Sequence, residues 1–173
     1  KRGRKVLLVD NSKKIGEKIR ISGGGRCNFT NINTNPSKFI SSNPNFCISA
    51  LKQYTQNDFI NLVKKYEIKF HEKKLGQLFC DNSSQQIIDM LLEECKVANV
   101  ILKNETSIAS INKIENNYYI KTELENYSCS SLVIATGGLS IPKIGASNFG
   151  YLIAKQFNIN IIEQNPGLVP LTF

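Results

Sequence analysis

The sequence predicts an α/β fold in which a parallel sheet is combined with an antiparallel β-meander. Two runs, Val6 to Val9 and Leu132 to Ala135, are continuously apolar, which is typical of strands covered on both faces of a parallel sheet. Between Asn99 and Thr136, short strand patterns follow one another with connections of two or three residues, as in hairpins. The chain has 173 residues, 41% of them hydrophobic, which is enough for a domain with a core and argues against disorder.

The first strand, Val6 to Val9, ends on Asp10, and a long polar stretch follows it. Residues 11–45 are rich in Gly, Ser and Asn, so we predict mostly loop, with one turn of helix around Lys13 to Ile19. Long irregular stretches in compact domains are usually functional or disordered, and the three consecutive glycines favour function. A helix is predicted to begin at Asn43-Pro44, because Asn caps helices and Pro suits the first turn.

Two further helices are predicted from their caps and apolar stripes. Thr55 to Asp58 approximates a capping box, and an apolar residue then recurs every three or four positions as far as Tyr66. Ser83 or Ser84 caps the next helix, whose apolar face ends with Cys95. Both stripes are therefore expected to lie in the core.

Strands and one helix are predicted for the rest of the chain. The strand patterns are Val100 to Leu102, Thr106 to Ile114, Tyr118 to Glu123 and Tyr127 to Ala135. A last helix is expected from about Ser147 to Phe157, followed by a strand from Ile159 to Ile162.

The formal charge of +8 is concentrated at one end of the chain. Residues 1–30 contain nine basic and two acidic side chains, whereas the rest of the chain is nearly neutral. Such a local excess suits a compact anion such as a diphosphate at least as well as an extended polyanion. Because this segment has only one aromatic residue, Phe29, a small RNA-binding module is the weaker hypothesis, and we expect no nucleic-acid partner.

Other classes of protein are disfavoured by simple counts. The longest apolar runs have four residues, far fewer than the roughly 20 of a membrane helix, and Asp10 interrupts what would be the apolar part of a signal peptide. We therefore expect a cytoplasmic protein with no membrane partner. Five cysteines without a C-x-x-C spacing and a single histidine, His71, predict no metal site and no disulfides. His71 lies in an alternating stretch and is interpreted as a strand-edge residue.

Three sequence features together predict a site for a dinucleotide. They are Asp10 after the first strand, the glycine-rich segment from Ser22 to Asn28, and Thr136 to Gly138 after the late apolar run. The carboxyl ends of parallel strands face one crevice, where an acid can bind ribose, and glycines with an arginine can hold a pyrophosphate. Ser22 to Gly25 also resembles the start of the SGGxDS loop of ATP pyrophosphatases, although Arg26 and Cys27 replace its Asp-Ser.

A dinucleotide-binding fold also requires G-x-G-x-x-G about 20 residues before the ribose-binding acid. Counted back from Asp10, that motif would precede Lys1, and it occurs nowhere in the chain. Either the dinucleotide hypothesis is wrong or the chain begins inside its own fold. In the second case, the basic start fits the tail of a missing first helix and its turn into the second strand.

Several blocks resemble the BaiN/YhiN-type flavoproteins, often called the aminoacetone oxidase family. The similar segments are Gly3 to Asp10, Ile21 to Asn31, Ala135 to Ser140 and Leu168 to Leu171. Residues 76–80 depart from the pattern Gly-Arg-x-Phe-Pro that is usual in that family. In addition, Asn148-Phe149-Gly150 replaces a turn that is Gly-Asp-Gly-like in the family.

The resemblance implies a partial Rossmann-like, FAD-binding domain of the glutathione-reductase type over residues 1–166, with 167–173 starting an inserted second domain. It assigns Asp10 to the adenosine ribose, and Ile108 to the adenine through its backbone. The residues assigned to the pyrophosphate and flavin are Ser22, Gly23, Gly24, Gly25, Arg26, Cys27 and Asn28, with Thr136, Gly137 and Gly138 closing over the cofactor.

The function implied is that of an FAD-dependent oxidoreductase, with hydride transfer to or from a small organic substrate and NAD(P)H as a candidate donor. Catalytic residues are not identified, since those facing the substrate are expected beyond Phe173, and the missing portions of the same fold are the expected partner. We expect the 173 residues alone to be inactive. The alternative is a non-catalytic remnant of an interrupted flavoprotein gene, with weak or no cofactor binding.

Overall fold

A computed structural model describes residues 3–139 and 147–165, which form two compact units that meet in sequence at Thr106 and Ser107. The helices are α1 (Glu17–Ile21), α2 (Ile48–Gln53), α3 (Gln56–Lys65), α4 (Gln85–Val97) and α5 (Phe149–Gln156). The strands are β1 (Leu7–Val9), β2 (Asn28–Asn31), β3 (Phe70–Glu72), β4 (Gln77–Cys80), β5 (Ile101–Lys103), β6 (Ile108–Ile114), β7 (Asn117–Thr122) and β8 (Asn126–Cys129). Short 3-10 turns cover Ser22–Gly25 and Pro36–Lys38.

The parallel sheet consists of β1 and β5, which pair from Leu7 opposite Ile101 to Val9 opposite Lys103. The parallel direction of the first strand is confirmed. Two details of the prediction are wrong. Leu8 is 38% exposed, so β1 is not covered on both faces, and β5 is not the first strand of the meander. Apolarity alone could not show that β5 pairs with a strand more than ninety residues earlier.

A second sheet was not predicted. Its order is β2-β4-β3, with all pairs antiparallel, and Asn28 lies opposite Phe79 while Phe70 lies opposite Cys80. The prediction of mostly loop over residues 11–45 is therefore wrong at β2. The reason is that Asn-Phe-Thr-Asn has little of the apolar alternation by which strands are recognised. His71 lies on β3, as its alternating context predicted.

The predicted start of α3 is confirmed, whereas the helix predicted at Asn43-Pro44 starts later than expected. Thr55 Oγ1 accepts the Asp58 N–H at 3.2 Å and Asp58 Oδ2 accepts the Thr55 N–H at 2.7 Å, so the capping box is confirmed. The hydrogen bond from the Thr55 hydroxyl lowers the pKa of the Asp58 carboxyl. The helix predicted at Asn43-Pro44 begins only at Ile48, because residues 44–47 form turns.

The core of the first unit lies between α3, α4 and the second sheet. Its buried members are Cys27, Val63, Ile68, Cys80, Ile87 and Met90. The apolar stripes of α3 and α4 thus both reach the core, as predicted. Residues 22–28 lie beside this core, and Cys27 belongs to it.

The second unit is the meander β6-β7-β8 with α5 packed on it. Ile153 of α5 is buried with Ile111 and Ile120. Among the described residues, no strand forms over Leu132–Ala135 or Ile159–Ile162, so those two predictions are wrong. An apolar run becomes a strand only where another strand offers backbone partners, and Val133 is instead 82% exposed.

Two further observations concern the described residues only. No helix there is long and apolar enough to cross a membrane. No group of three or more His, Cys, Asp or Glu side chains there could hold a metal ion. The predicted domain boundary at residues 166/167 lies outside the described residues.

Candidate cofactor site

The glycine loop, residues 22–28, has a backbone that only glycine adopts easily. Gly23 (φ 58°, ψ 30°) and Gly24 (φ 66°, ψ 35°) are both left-handed, and Gly25 also has a positive φ of 85°. A Cβ added at Gly24 or Gly25 would meet no atom within 4 Å, so the backbone is open there. Successive glycines with a bare backbone form a concavity that a phosphate can approach closely.

The opposite side of the glycine loop is closed by the protein. A Cβ at Gly23 would lie 2.7 Å from Phe79 Cε1 and 2.9 Å from the Asn28 nitrogen. The N–H of Cys80 donates to the Arg26 carbonyl at 3.0 Å, and the N–H of Ser84 donates to the Gly25 carbonyl at 2.8 Å. The loop is therefore fixed from behind by β4 and by the residue that precedes α4.

The sequence predicts Ser84 only as a candidate helix cap, but in the structure Ser84 also forms hydrogen bonds with α1 and with the glycine loop. Ser84 is 2% exposed, and its Oγ donates to the Arg20 carbonyl at 2.8 Å. With its N–H on Gly25, this residue ties α1 and the glycine loop to α4. A buried serine at the start of an apolar helix is the signal that could have suggested this contact.

The two arginines near the glycine loop have different surroundings. Arg20 donates to Glu17 Oε1 at 3.0 Å, to the Ile15 carbonyl at 3.1 Å and to Gln85. Arg26 is exposed, and its guanidinium has no protein partner among the described residues. Arg26 is thus the arginine of this pair that is free to bind a diphosphate.

Cys27 and Asn28 close the loop. Cys27 is left-handed at φ 54°, its N–H donates to the Ser22 carbonyl at 3.0 Å, and its side chain is 5% exposed in the core. The thiol therefore packs and does not face the open side of the loop. The Asn28 amide nitrogen donates to the carbonyls of Leu78 and Thr30, both at 3.2 Å, in the amide orientation that satisfies these contacts.

Cys80 lies beside Cys27 in the core and is fully buried. Burial raises the pKa of the Cys80 thiol to about 11, and the neighbouring Cys27 and Asp81 add to the increase. A thiol with so high a pKa is almost entirely protonated at neutral pH, which makes it a packing group and not a nucleophile.

Asp10 follows β1 and is held by backbone hydrogen bonds on both sides. Its N–H donates to the Lys103 carbonyl at 2.9 Å, and its own carbonyl accepts the Thr106 N–H at 3.1 Å. Oδ1 accepts the Ser12 N–H at 2.7 Å, and Oδ2 accepts no hydrogen bond within the described residues. One carboxylate oxygen therefore orients the side chain while the other can accept from a hydroxyl.

The remaining predicted residues belong to the second unit. Ile108 is the first residue of β6, opposite Thr122, and the register shifts between Ile108 and Ser110. Gly137 has a φ of 73°, and an added Cβ would lie within 4 Å of no atom in residues 3–139 and 147–165. Near it, Gly150 and Gly138 permit close approach, since their added Cβ atoms would lie 3.3 Å from Thr136 Oγ1 and 3.0 Å from the Tyr151 hydroxyl respectively.

His71 forms a pair outside the predicted site. Its Nδ1 lies 2.7 Å from Asp81 Oδ1, and its ring stacks on Phe79 at 6.4 Å between centroids. Phe79 in turn closes the space behind Gly23. Both side chains are about 40% exposed, so this contact lies on the outer surface of the second sheet.

The fold and the glycine loop define a class, a Rossmann-like α/β nucleotide-binding domain. A fit with a dinucleotide cofactor rests on the open backbone at Gly24 and Gly25 with the unpaired guanidinium of Arg26 beside it. The chain belongs to the HI0933-like protein Rossmann domain family, whose model matches residues 1–172. This is an FAD-binding family.

Three curated relatives illustrate what the chain is similar to. The chain is 54% identical over 98% of its length to the ribosomal RNA dihydrouridine synthase of Escherichia coli and 46% identical over its whole length to that of Haemophilus influenzae. It is 21% identical over 96% of its length to a 3-dehydro-bile acid delta(4,6)-reductase of Clostridium scindens. It spans 42%, 44% and 41% of these proteins respectively, less than half of each.

Proposed function

We propose that this chain is the FAD-binding part of a reductase that saturates a carbon–carbon double bond conjugated with a carbonyl group. The observation that carries the proposal is the glycine loop, with its open backbone at Gly24 and Gly25 and the exposed Arg26. Membership of an FAD-binding family supports the cofactor. The names of the relatives supply the reaction.

Those names share one chemistry although the substrates differ. Dihydrouridine arises from uridine by saturation of C5=C6, which is conjugated with the carbonyl at C4. The double bonds of a 3-dehydro-delta(4,6) bile acid are likewise conjugated with the ketone at C3. In both reactions a hydride adds to the carbon of the double bond that is farther from the carbonyl group, and a proton adds to the other carbon of that double bond. Polarisation of the carbonyl group therefore assists both reactions.

We infer that the substrate is a uridine in ribosomal RNA, because the two relatives with 54% and 46% identity carry that name. The expectation of no nucleic-acid partner rested on the composition of residues 1–30 and stays a prediction without a test. A small unsaturated ketone is the second candidate, supported by the relative with 21% identity.

The roles of the individual residues follow from their geometry. Asp10 would accept a ribose hydroxyl at Oδ2, while Ser12 keeps the carboxylate oriented through Oδ1. The backbone at Gly24 and Gly25 would lie against the pyrophosphate, and the Arg26 guanidinium would neutralise part of its charge. FAD, when bound, supplies hydride chemistry, and NAD(P)H is the proposed source of reducing equivalents.

In the second unit, Thr136 to Gly138 would close over the cofactor and Ile108 would meet the adenine through its backbone. The left-handed Gly137 leaves space that a side chain would fill, which is consistent with close approach of a ligand. No described residue is assigned as the proton donor to the substrate.

The experiment uses the purified full-length gene product and ribosomal RNA from a strain that lacks it. We expect a yellow protein with bound FAD that, supplied with NADPH or NADH, adds two hydrogens to one uridine, measured by mass spectrometry of nuclease fragments. Arg26→Gln should weaken FAD binding by about tenfold, since a charge-assisted pair is lost, whereas the exposed control Lys14→Gln should not.

Three results would contradict the proposal in different ways. A colourless protein that binds no added FAD would favour the non-catalytic remnant. A flavoprotein that reduces unsaturated ketones but leaves RNA unchanged would favour the small-molecule substrate. Equal FAD affinity of the Arg26→Gln and Lys14→Gln variants would remove Arg26 from the site.

A further inference from the structure

A second surface of the first unit combines exposed aromatic and basic side chains. It is formed by the segment of the chain that connects β2 with α3. We call it the loop–helix face, and its residues are Lys38, Phe39, Phe46, Lys52 and Tyr54. The three aromatic side chains are 40%, 56% and 53% exposed in that order. Single exposed apolar residues are ordinary on any protein, but a group of aromatic ones usually marks an interaction site.

One buried contact joins the two parts of this segment, the 3-10 turn and the start of α2. Cys47 is 7% exposed, and its Sγ lies 4.0 Å from the Pro36 carbonyl, so the 3-10 turn Pro36–Lys38 packs against the start of α2. Phe39 directly follows that turn, since its N–H donates to the Pro36 carbonyl at 3.1 Å, and Phe46 directly precedes Cys47. The six residues of α2 span about 9 Å and lead through Lys52 to Tyr54.

The charge of the loop–helix face is entirely positive along the chain. Residues 28–57 contain Lys38 and Lys52 and no Asp or Glu. The first acid after them, Asp58, is engaged in the capping box, where its Oδ2 accepts from the N–H and the hydroxyl of Thr55 at 2.7 and 2.6 Å. Burial and the nearby carboxylates of Asp58 and Glu94 raise the pKa of Tyr54, so its hydroxyl stays neutral and able to donate.

We propose that the loop–helix face binds a single-stranded segment of RNA, with bases stacked on Phe39, Phe46 and Tyr54 and phosphates on Lys38 and Lys52. The inference rests on the proposed function, because it names the surface that would hold the RNA substrate. Exposed rings give every base a stacking partner, and the ammonium groups of Lys38 and Lys52 attract the phosphate backbone. This surface supplies the combination of aromatic and basic residues that residues 1–30 lack.

The test measures binding of a fluorescein-labelled, uridine-rich single-stranded RNA to the full-length flavoprotein by fluorescence anisotropy at several salt concentrations. The variants are Phe46→Ala/Lys52→Gln and Lys38→Gln/Tyr54→Ala. The matched control is Tyr119→Ala/Lys121→Gln, which removes an exposed tyrosine and an exposed lysine from β7.

We expect each test variant to bind RNA about tenfold more weakly, with a shallower salt dependence because one phosphate contact is lost, and the control to bind like the wild type. The flavin absorbance and the melting temperature should stay unchanged in all three. Dihydrouridine formation in ribosomal RNA by the wild type is measured in parallel, and it reports on the proposed function alone.

Four outcomes would overturn the inference. In the first, the wild-type protein does not bind the RNA, and in the second, the test variants bind it as tightly as the control does. In the third, the test variants lose flavin or melt early, because the face is covered by the rest of the polypeptide. In the fourth, the face binds anionic vesicles in preference to RNA. If the variants lose RNA binding but the wild type forms no dihydrouridine, the RNA surface stands and the proposed reaction fails.

Discussion

The two glycine segments proposed to hold the cofactor differ in how far the surrounding protein fixes their shape. The glycine loop, residues 22–28, is fixed from behind by Phe79, Cys80 and Ser84. At Gly137, by contrast, an added Cβ would meet no atom of the described residues within 4 Å. The first segment is thus held in its left-handed shape by the folded chain itself. A glycine there serves the fold as well as the proposed cofactor site. Within the part of the chain that the structure describes, Gly137 is constrained only by its own backbone angle.

The largest effect expected from this difference is that of Gly23→Ala. The new Cβ would belong to a residue with left-handed backbone angles. It would also clash with the backbone nitrogen of Asn28, which is the first residue of β2 and cannot move independently of that strand. We expect the free energy of unfolding to fall by about 3 kcal/mol, more than a hundredfold in the folding equilibrium. Urea unfolding of the full-length protein measures it, and a loss below about 1 kcal/mol would show that the loop is not fixed from behind.

The next effect is the chemical protection of Cys80, which lies behind the same loop. Because burial raises its pKa to about 11, its thiolate is scarce at pH 8 and should become more abundant with every pH unit up to that value. Because the reagent must also reach a side chain with no exposed surface, alkylation by iodoacetamide should be at least about a hundredfold slower in native than in urea-unfolded protein. Mass spectrometry of the labelled peptides measures both rates, and equal rates would mean that the core behind the loop opens readily.

A smaller effect is expected for Gly24→Ala, which probes the open side of the same loop. The added methyl group would touch no atom of the described residues but would occupy the space proposed for the pyrophosphate. We expect FAD to bind about tenfold more weakly, while the free energy of unfolding falls by only about 1 kcal/mol from the left-handed backbone. Flavin fluorescence during titration of the apoprotein gives the affinity. An unchanged affinity would place the cofactor elsewhere.

The smallest effect is expected for Gly137→Ala in the second segment. Only the positive φ of 73° opposes the new side chain, so the free energy of unfolding should fall by about 1 kcal/mol, roughly fivefold in equilibrium. The same urea experiment measures it. If Gly137→Ala proved as damaging as Gly23→Ala, the contrast between the two segments would be wrong.

Much of the fold was predictable where local chemistry decides the outcome. The capping box at Thr55, the apolar stripes of α3 and α4, and the hairpins from β6 to β8 each depend on residues close in sequence. The glycine loop was predictable for the same reason, since three consecutive glycines have few structural uses other than a left-handed turn.

Features that depend on distant partners were not predictable. The pairing of β1 with β5 and the polar strand β2 are set by their neighbours in space. The run Leu132–Ala135 has the composition of a strand but finds no strand partner among the described residues. At the site, the backing of the loop by Ser84 could not be read from the sequence, because it requires knowing that α4 begins behind Gly25.

The pairing of β1 with β5 also has a consequence for the order of events during synthesis. Leu7–Val9 leaves the ribosome about ninety residues before its partner Ile101–Lys103, while the second sheet, α3 and α4 lie entirely between them. The intervening elements can therefore assemble first, and the strand that carries Asp10 docks only when β5 has emerged. Closing so long a loop is slow and leaves an apolar strand exposed meanwhile. Asp10 would then reach its place later than the glycine loop, although it is synthesised before it.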